Sequence, residues 1–438
     1  MSAIISLLNK IPFGSPAGNG FFLYSRISPG VLEKMAECNF RKTVSFVYEH
    51  SRFYRRRFNE LGINPRKVRR PEDLGDFFTT AEDLRRYGED FVCQRPDTAY
   101  ETTGTTSKKP KRVYFSRGEI KEAGWIGAVG LWNLGVRKED RIASAFDYSF
   151  WVSGPVLQAS CEVLGCFHVE AGRMDPLEFY ERTSDYRLTV IVGDPSWIVR
   201  LSEVAEKRDA RSLKLILGGG ENVTEEARRY VEGVWKTDFI LGYGQTEAFG
   251  AIGMESRFKE GYHLNEFHNY FEIIKPDVDG YGELVYTTLN RRVMPLVRYR
   301  SGDVTRFLKG EPKGSLRGKR IEKLKGRVDE WVPTGMGNLA PWMFEPIFQG
   351  IDGVTGDWQI EIEKEGNKDK ILFHLEAKDG EAGARSLKGE ALARLRKELP
   401  DASRALDMGL ITVDWRVHSP GSLRLGRKLR RIVDNRKF

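Results

Sequence analysis

The chain has 438 residues, of which 40% are hydrophobic and 11% aromatic, so it can build a large core spread over several domains. This composition excludes an intrinsically disordered protein. The net charge of +8 permits contact with nucleic acid or a membrane surface but requires neither. No apolar run approaches the ~20 residues of a membrane span, and no basic region precedes the short apolar opening, so we expect a cytoplasmic protein.

The predicted elements begin with a helical stretch over residues 31–61, where apolar residues recur at helical spacing and Gly62 follows as a stop. From Thr98 onward, short β-rich runs alternate with helical patterns. The predicted strands cover residues 113–115, 141–145, 188–192, 213–217 and 239–241, and the predicted helices 117–132, 152–164, 196–207 and 225–234. This alternation predicts an α/β fold with a largely parallel sheet.

The remaining third of the chain has a different pattern. Glycine, proline and aspartate separate four further predicted strands, at residues 270–274, 282–287, 296–299 and 304–307. A terminal block follows, with predicted strands at 358–363, 371–377 and 410–417 and a charged helix at 384–399. We therefore expect a large N-terminal domain, residues 1–325, and a small α+β domain, residues 326–438, with the boundary near Gly326.

Candidate chemistry lies in five polar clusters. The first, TTGTTSKKPK from Thr102 to Lys111, surrounds a glycine with hydroxyls and adds lysines, which suits a loop around phosphate, although P-loop spacing is absent. The others are GGGE, YGQTE, RYRSGD and GRVD, which end at Glu221, Glu247, Asp303 and Asp329. Taken singly, each also fits an ordinary feature: a surface loop, a strand-to-helix turn, a buried tyrosine, a β-turn or a surface ion pair.

The order of these clusters changes their meaning. Together with YEHSRFYRRRFNELGINPRKVRRPEDL and FFTTAEDLRRYGEDF near the start, and GRKLRRIVDNRKF at the end, they run in one series along nearly the whole chain. This series resembles the phenylacetate–coenzyme A ligase family of the adenylate-forming superfamily of acyl-CoA synthetases.

The resemblance implies a nucleotide site. The residues that look like its phosphate loop are Thr102, Thr103, Gly104, Thr105 and Thr106. The other implied nucleotide-binding residues are Gly220, Glu221, Tyr243, Gly244, Gln245 and Thr246. Among them, Glu221 matches the glutamate at the adenine end, and Tyr243 resembles the ring that stacks on adenine. Asp303 matches the ribose-binding aspartate, and Arg327 falls in the Gly-Arg pair of the family pattern.

The resemblance also implies the catalytic groups. Glu247 looks like the carboxylate that ligates Mg²⁺, Lys428 like the catalytic lysine of a mobile terminal lid domain, and Asp329 like the hinge. The implied enzyme is an AMP-forming acid–thiol ligase. It adenylates a carboxylic acid with ATP, releases pyrophosphate and transfers the acyl group to the thiol of coenzyme A. The expected partners are these small molecules, without nucleic acid or membrane, and a homodimer is compatible with the resemblance.

By the same resemblance, residues 133–165 should line the acyl pocket. The segment contains Phe146, Tyr148, Phe150 and Trp151, an aromatic set that favours a flat acid such as an arylacetate. The same four side chains could instead simply cover the sheet as core residues.

Two alternatives stay open. The segment 335–341 departs from the family pattern at the position that faces the thiol-accepting conformation. An adenylate-forming enzyme without coenzyme A, acting on a deazaflavin coenzyme, on a protein or in exopolysaccharide assembly, therefore remains a candidate. The second alternative is a nucleic-acid-binding protein that uses the basic stretch 52–70, in which Phe53, Tyr54 and Phe58 interleave with arginines. An amphipathic helix explains that spacing better.

Overall fold

The computed structural model describes residues 27–102, 110–208, 210–314, 316–328, 332–334, 337–348, 351–365, 368–378, 384–423 and 429–436. The chain divides into two compact units. The larger unit comprises Met1–Ser301 with Thr305–Lys323, and the smaller unit comprises Gly302–Val304 with Leu324–Phe438.

The helical opening consists of two helices, α1 (Pro29–His50) and α2 (Arg52–Glu60), where the sequence predicts one continuous pattern. Ser51 separates them because its backbone is extended, at φ −96° and ψ 127°, and its hydroxyl accepts the Tyr54 N–H as the N-cap of α2. A short 3₁₀ turn, Pro71–Leu74, and helix α3 (Ala81–Tyr87) follow.

The rest of the larger unit alternates strands and helices. In chain order the elements are β1 (Thr98–Thr102), β2 (Lys111–Phe115), α4 (Arg117–Asn133), β3 (Arg141–Ser144), α5 (Ser153–Leu164), β4 (Phe167–Glu170), α6 (Pro176–Arg182), β5 (Val190–Gly193), α7 (Pro195–Glu206), β6 (Leu215–Gly219), α8 (Glu225–Trp235), β7 (Phe239–Gln245), β8 (Gly250–Glu255), β9 (Tyr262–Leu264), β10 (Asn269–Ile274), β11 (Gly282–Thr288), β12 (Tyr299–Thr305) and β13 (Arg320–Ile321). Residues Gly302–Val304 of β12 belong to the smaller unit.

The main sheet has eight strands in the order β13-β9-β8-β7-β6-β5-β3-β4. Strands β4, β3, β5, β6 and β7 are parallel, and β8, β9 and β13 continue the sheet antiparallel. Val190, Leu215 and Ile240 are fully buried between the sheet and its helices. The α/β class is confirmed, and the carboxyl ends of β3, β6 and β7 lie at the same edge, where such sheets bind ligands.

Strand β12 corrects one expectation. The sequence predicts two strands, 296–299 and 304–307, separated by a turn at Gly302-Asp303, whereas a single strand runs through both residues. Gly302 makes this possible, because its φ is +79° and a Cβ there would lie 2.6 Å from Nη2 of Arg327.

The smaller unit is an α+β domain. Its elements are β14 (Gly326–Arg327), β15 (Val332–Thr334), β16 (Gly337–Leu339), α9 (Glu345–Phe348), β17 (Val354–Glu365), β18 (Lys368–Ala377), α10 (Ala384–Glu398), α11 (Pro400–Asp407), β19 (Ile411–His418) and β20 (Ile432–Asp434). The sheet has the order β19-β18-β17-β20, and Ile360, Phe373 and Trp415 pack in one core with residues of the helices. Across the described parts of both units, no helix is long and apolar enough to cross a membrane.

Candidate active site

Glu247 lies just beyond the end of β7, at the carboxyl edge of the main sheet, and is a buried charged group of the larger unit's candidate site. It is only 3% exposed, and its Oε1 lies 2.5 Å from Nζ of Lys111 and accepts the Tyr299 hydroxyl at 3.0 Å. Burial alone would raise the pKa of this carboxyl, but the Lys111 ammonium and the hydrogen bonds outweigh it and leave the pKa below its usual value. Glu247 is therefore ionised at neutral pH.

The residues before Glu247 are held by strand geometry. The Gln245 amide donates to the Ser301 carbonyl at 3.1 Å, and its Oε1 accepts the Tyr286 hydroxyl at 2.9 Å. A Cβ on Gly244 would lie 1.9 Å from the carbonyl of Gly250, so glycine is required where β7 and β8 change register. Tyr243 and Thr246 are both buried, so the YGQTE cluster has a packing role as well as a place at the ligand edge.

Glu221 follows β6 at the same edge of the sheet. Its Oε2 accepts the Ser196 N–H at 3.2 Å, in the first turn of α7, while its Oε1 is buried without a hydrogen-bond partner in the described part of the chain. Gly220 reverses the chain with φ +86°. A carboxylate at a helix N-terminus with one unused oxygen has the capacity to accept a ligand donor.

Of the threonines in the Thr-rich cluster, the structure describes only Thr102. Thr102 ends β1 opposite Lys111 in the β1–β2 ladder, and its hydroxyl is buried without a partner among the described residues. Thr103, Gly104, Thr105 and Thr106 lie outside the described residues, as do the predicted hinge Asp329 and the predicted catalytic Lys428.

In the smaller unit, Asp303 and Arg327 form a pair. Nη1 of Arg327 donates to Oδ1 of Asp303 at 3.0 Å, and the two residues are directly opposed in the β12–β14 ladder. Asp303 is buried, and the glycine before it lets the arginine lie flat against the strand. The segment that follows β19 is held by Glu376 in β18. Both carboxylate oxygens of Glu376 accept backbone N–H groups, those of Gly421 and Leu423, at 2.8 and 2.7 Å.

The four aromatic residues predicted for an acyl pocket have different environments. Phe146 packs against the core of the main sheet, whereas Phe150 is 61% exposed. The half-buried Tyr148 hydroxyl lies 3.3 Å from Nε2 of His168, and Trp151 is also half-buried. Burial raises the pKa of Tyr148 and lowers that of His168 to about 4, so both groups are neutral at neutral pH.

Sequence reasoning missed Lys111 and Tyr299 as individual site residues. In the sequence, Lys111 is one of several lysines at the end of a loop. The alternation of side chains along β2 could have identified it. Lys111 lies on the same face of the strand as Val113 and Phe115, which are completely buried. A lysine on the buried face of a strand needs a carboxylate partner, and Glu247 is that partner.

The basic stretch that suggested nucleic-acid binding has a structural explanation. Phe53, Tyr54 and Phe58 are buried on the inner face of α2 and pack against other rings, including Phe77 and Phe91. They are therefore inaccessible for stacking on bases.

Comparisons with known proteins agree with the geometry. The family of AMP-binding enzymes matches residues 99–267, a range that includes Glu221 and Glu247. A solved 2-hydroxyisobutyryl-CoA ligase, in the postadenylation state with R3-HIB-AMP, has a TM-score of 0.78 at 20% identity over 94% of this chain and 91% of its own. O-succinylbenzoate coenzyme A synthetase from Bacillus subtilis, in complex with ATP and magnesium ion, has a TM-score of 0.53 at 19% identity over 77% of this chain and 69% of its own. The fold is that of an adenylate-forming enzyme.

The sequence relatives narrow this class. The phenylacetate–coenzyme A ligase of Pseudomonas putida is 30% identical over 77% of this chain and 80% of its own length. That of Thermus thermophilus is 30% identical over 93% of this chain and 97% of its own. The chain belongs to the phenylacetate–coenzyme A ligase family, which confirms the resemblance seen in the sequence.

Proposed function

We propose that this protein is an AMP-forming acid–thiol ligase. A carboxylate oxygen of the acid attacks the α-phosphate of ATP, the bond to pyrophosphate breaks, and the thiol of coenzyme A then displaces AMP from the acyl-adenylate. The observation that carries the proposal is the ionised Glu247 with its Lys111 partner, at the carboxyl edge of the sheet of a family whose relatives bear this name. Because those relatives are coenzyme A ligases by name, the alternative without coenzyme A is not favoured.

The residues suit Mg²⁺ carried on ATP. Within the described parts of the chain, no group of three or more His, Cys, Asp or Glu could hold a metal by itself. Mg²⁺ needs only one or two protein carboxylates when substrate phosphates complete its coordination. Glu247 would supply one such oxygen, and the unpartnered Thr102 hydroxyl would contact a phosphate oxygen. Bound there, the ion would neutralise phosphate charge.

The other proposed site residues bind the parts of ATP. Glu221 and Tyr243 would bind adenine, and Asp303 would accept from the ribose hydroxyls while Arg327 orients it. Thr103 to Thr106, with Gly104, would hold the outer phosphates, and Lys428 would place its ammonium against the charge that develops at the α-phosphate. Asp329 is the proposed hinge between an ATP- and acyl-binding domain, residues 1–325, and a lid, residues 326–438. The cytoplasmic location and a homodimer stay predictions.

The proposed acid is aromatic, such as an arylacetate. Support comes from the names of the relatives and from the half-buried Tyr148 and Trp151 in the segment after β3. The neutral Tyr148–His168 pair offers a polar contact without a charge, which suits the edge of an uncharged ring rather than a second carboxylate.

The test is a pyrophosphate-release screen over aryl and alkyl acids, with and without coenzyme A. We expect release that depends on an arylacetate, with AMP and an acyl-CoA as the other products. Glu247→Gln should slow release by about 10²-fold, as expected for one lost transition-state contact, while Glu226→Gln on the exposed face of α8 should not. Absence of acid-dependent pyrophosphate from the folded enzyme would refute the proposal.

A further inference from the structure

Arg291, in the loop after β11, is a buried cation without a directly paired carboxylate among the residues that the structure describes. Its side chain is 1% exposed, and within the described residues it makes no ion pair. Burial lowers its pKa to about 10, which still leaves the guanidinium protonated at neutral pH. A buried charge without a paired carboxylate is costly, so its presence calls for a role beyond packing.

The hydrogen bonds of Arg291 join the two elements that hold the Lys111–Glu247 pair. Nη1 donates to the backbone carbonyl of Glu247 at 3.0 Å, and Nη2 donates to the carbonyl of Tyr114 in β2 at 2.8 Å. Lys111 lies in the same strand, three residues before Tyr114. One planar guanidinium therefore fixes the spacing between the strand that carries the ammonium and the turn that carries the carboxylate.

Aromatic rings hold the guanidinium in place. Its carbon lies 4.2 Å from the centre of the Phe115 ring and 5.3 Å from that of Phe249, and its Nε is buried without a partner in the described part of the chain. A cation between two rings has little freedom to rotate away from the carbonyls. Its charge is also attracted by the carboxylates of Glu119 and Glu247, although burial outweighs that attraction in its effect on the pKa of Arg291.

We propose that Arg291 is a positioning residue for Glu247, which keeps that carboxylate oriented for Mg·ATP. This inference rests on the proposed role of Glu247. Lysine at position 291 would keep the charge but could bond only one of the two carbonyls well. We therefore expect Arg291→Lys to fold and yet to lose the orientation of Glu247.

The experiment measures how pyrophosphate release by the full chain depends on free Mg²⁺, and how far Mg·ATP, compared with ATP in EDTA, raises the thermal unfolding midpoint. We expect Arg291→Lys to raise the half-saturating Mg²⁺ concentration about tenfold, which corresponds to one lost hydrogen bond, and to reduce the Mg·ATP-dependent shift. Arg292→Lys is the matched control, because its side chain is exposed on the same turn, and it should change neither value.

A double variant tests whether Arg291 affects Mg²⁺ dependence through Glu247. If Arg291 acts through Glu247, the Arg291→Lys/Glu247→Gln enzyme should need no more Mg²⁺ than Glu247→Gln alone. Additive effects, or an Arg291→Lys enzyme that loses only thermal stability, would overturn the inference and leave the proposed function standing. A Glu247→Gln enzyme with unchanged Mg²⁺ dependence would overturn the inference together with the proposed Mg²⁺ role of Glu247, whereas loss of acid-dependent pyrophosphate release from the wild-type enzyme would overturn the proposed function. If the lysine variant does not fold, Arg291→Gln provides the same comparison.

Discussion

At the scale of single residues, the Lys111–Glu247 pair couples stability to the candidate site. Removing one partner of a buried ion pair leaves an uncompensated charge, which costs about 3–5 kcal/mol. We expect Lys111→Met to lower the free energy of unfolding by that amount, measured by urea denaturation. The Lys111→Met/Glu247→Gln variant, which removes both charges, should recover at least half of the loss. A Lys111→Met enzyme of normal stability would contradict the buried pair.

A second residue-scale prediction concerns His263 in β9. It is buried, both ring nitrogens lack a hydrogen-bond partner in the described part of the chain, and burial lowers its pKa to about 4. Because the unfolded histidine titrates near 6.5, the neutral ring contributes fully above that pH and its contribution is lost as pH falls from about 6.5 to 4.

The measurement is the free energy of unfolding across this range. The wild-type free energy of unfolding should fall by at most about 3 kcal/mol between pH 6.5 and 4 because of His263, and His263→Met should abolish that part of the fall. His50→Gln, on the exposed end of α1, should leave the pH profile unchanged. Superimposable profiles for wild type and His263→Met would show that His263 is not buried in its neutral form.

Sequence alone could find the clusters but not their partners. GGGE and YGQTE were recognisable because glycine and a carboxylate follow an apolar strand, and both lie at the carboxyl edge of the sheet. Lys111 and Arg291 were not singled out, because a lysine after KKP and an arginine in a turn look like surface charges. Their burial depends on contacts with Glu247, which is more than a hundred residues from Lys111.

At the scale of elements, α4 and α5 depend on close backbone approach. A Cβ on Gly124 would lie 2.4 Å from Cβ of Ala159, and one on Gly127 would lie 2.2 Å from Oγ of Ser160. The three-residue spacing of these glycines places them on one stripe of α4. The helices can therefore pack only while that stripe stays without side chains.

A matched pair of substitutions tests this packing. Gly124→Ala should lower the free energy of unfolding by about 1–3 kcal/mol, because the methyl group meets the α5 backbone. Gly233→Ala in α8 meets nothing within 4 Å and should raise it by about 0.5–1 kcal/mol through helix propensity. Chemical denaturation measures both, and a stabilising Gly124→Ala would show that the helices are farther apart.

The sequence predicts a helix or strand well where the spacing of apolar residues within that segment determines it. The parallel strands β3, β5, β6 and β7 and the helices α4, α5, α7 and α8 follow apolar periodicity, and the sequence predicts them to within a few residues. The edge strand β4 and the short helix α6 are not predicted, because each spans seven residues or fewer. The single strand β12 is not predicted, because Ser301-Gly302-Asp303 has turn composition, and the strand continues through Gly302 at positive φ to pair Asp303 with Arg327, which is distant in sequence. Strand β20 escaped prediction because it is three residues long and pairs with β17, distant in sequence.

At the scale of the whole molecule, the net charge of +8 is compatible with a small-molecule enzyme. Many cations are used within the fold: Arg52 lies 3.0 Å from Asp90, and Arg228 forms a buried pair with Glu255 at 2.8 Å. The excess charge would also attract ATP and coenzyme A, both of which are anions.

In the proposed reaction, the acid attacks the α-phosphate of ATP to form an acyl-adenylate. The most direct measurement uses an arylacetate labelled with ¹⁸O in its carboxylate, with ATP and coenzyme A, and mass spectrometry of the products. We expect one ¹⁸O atom in AMP, because the attacking oxygen remains on phosphorus when the thiol breaks the acyl–oxygen bond. Label in phosphate or pyrophosphate, or acyl-CoA formed together with unlabelled AMP, would contradict it.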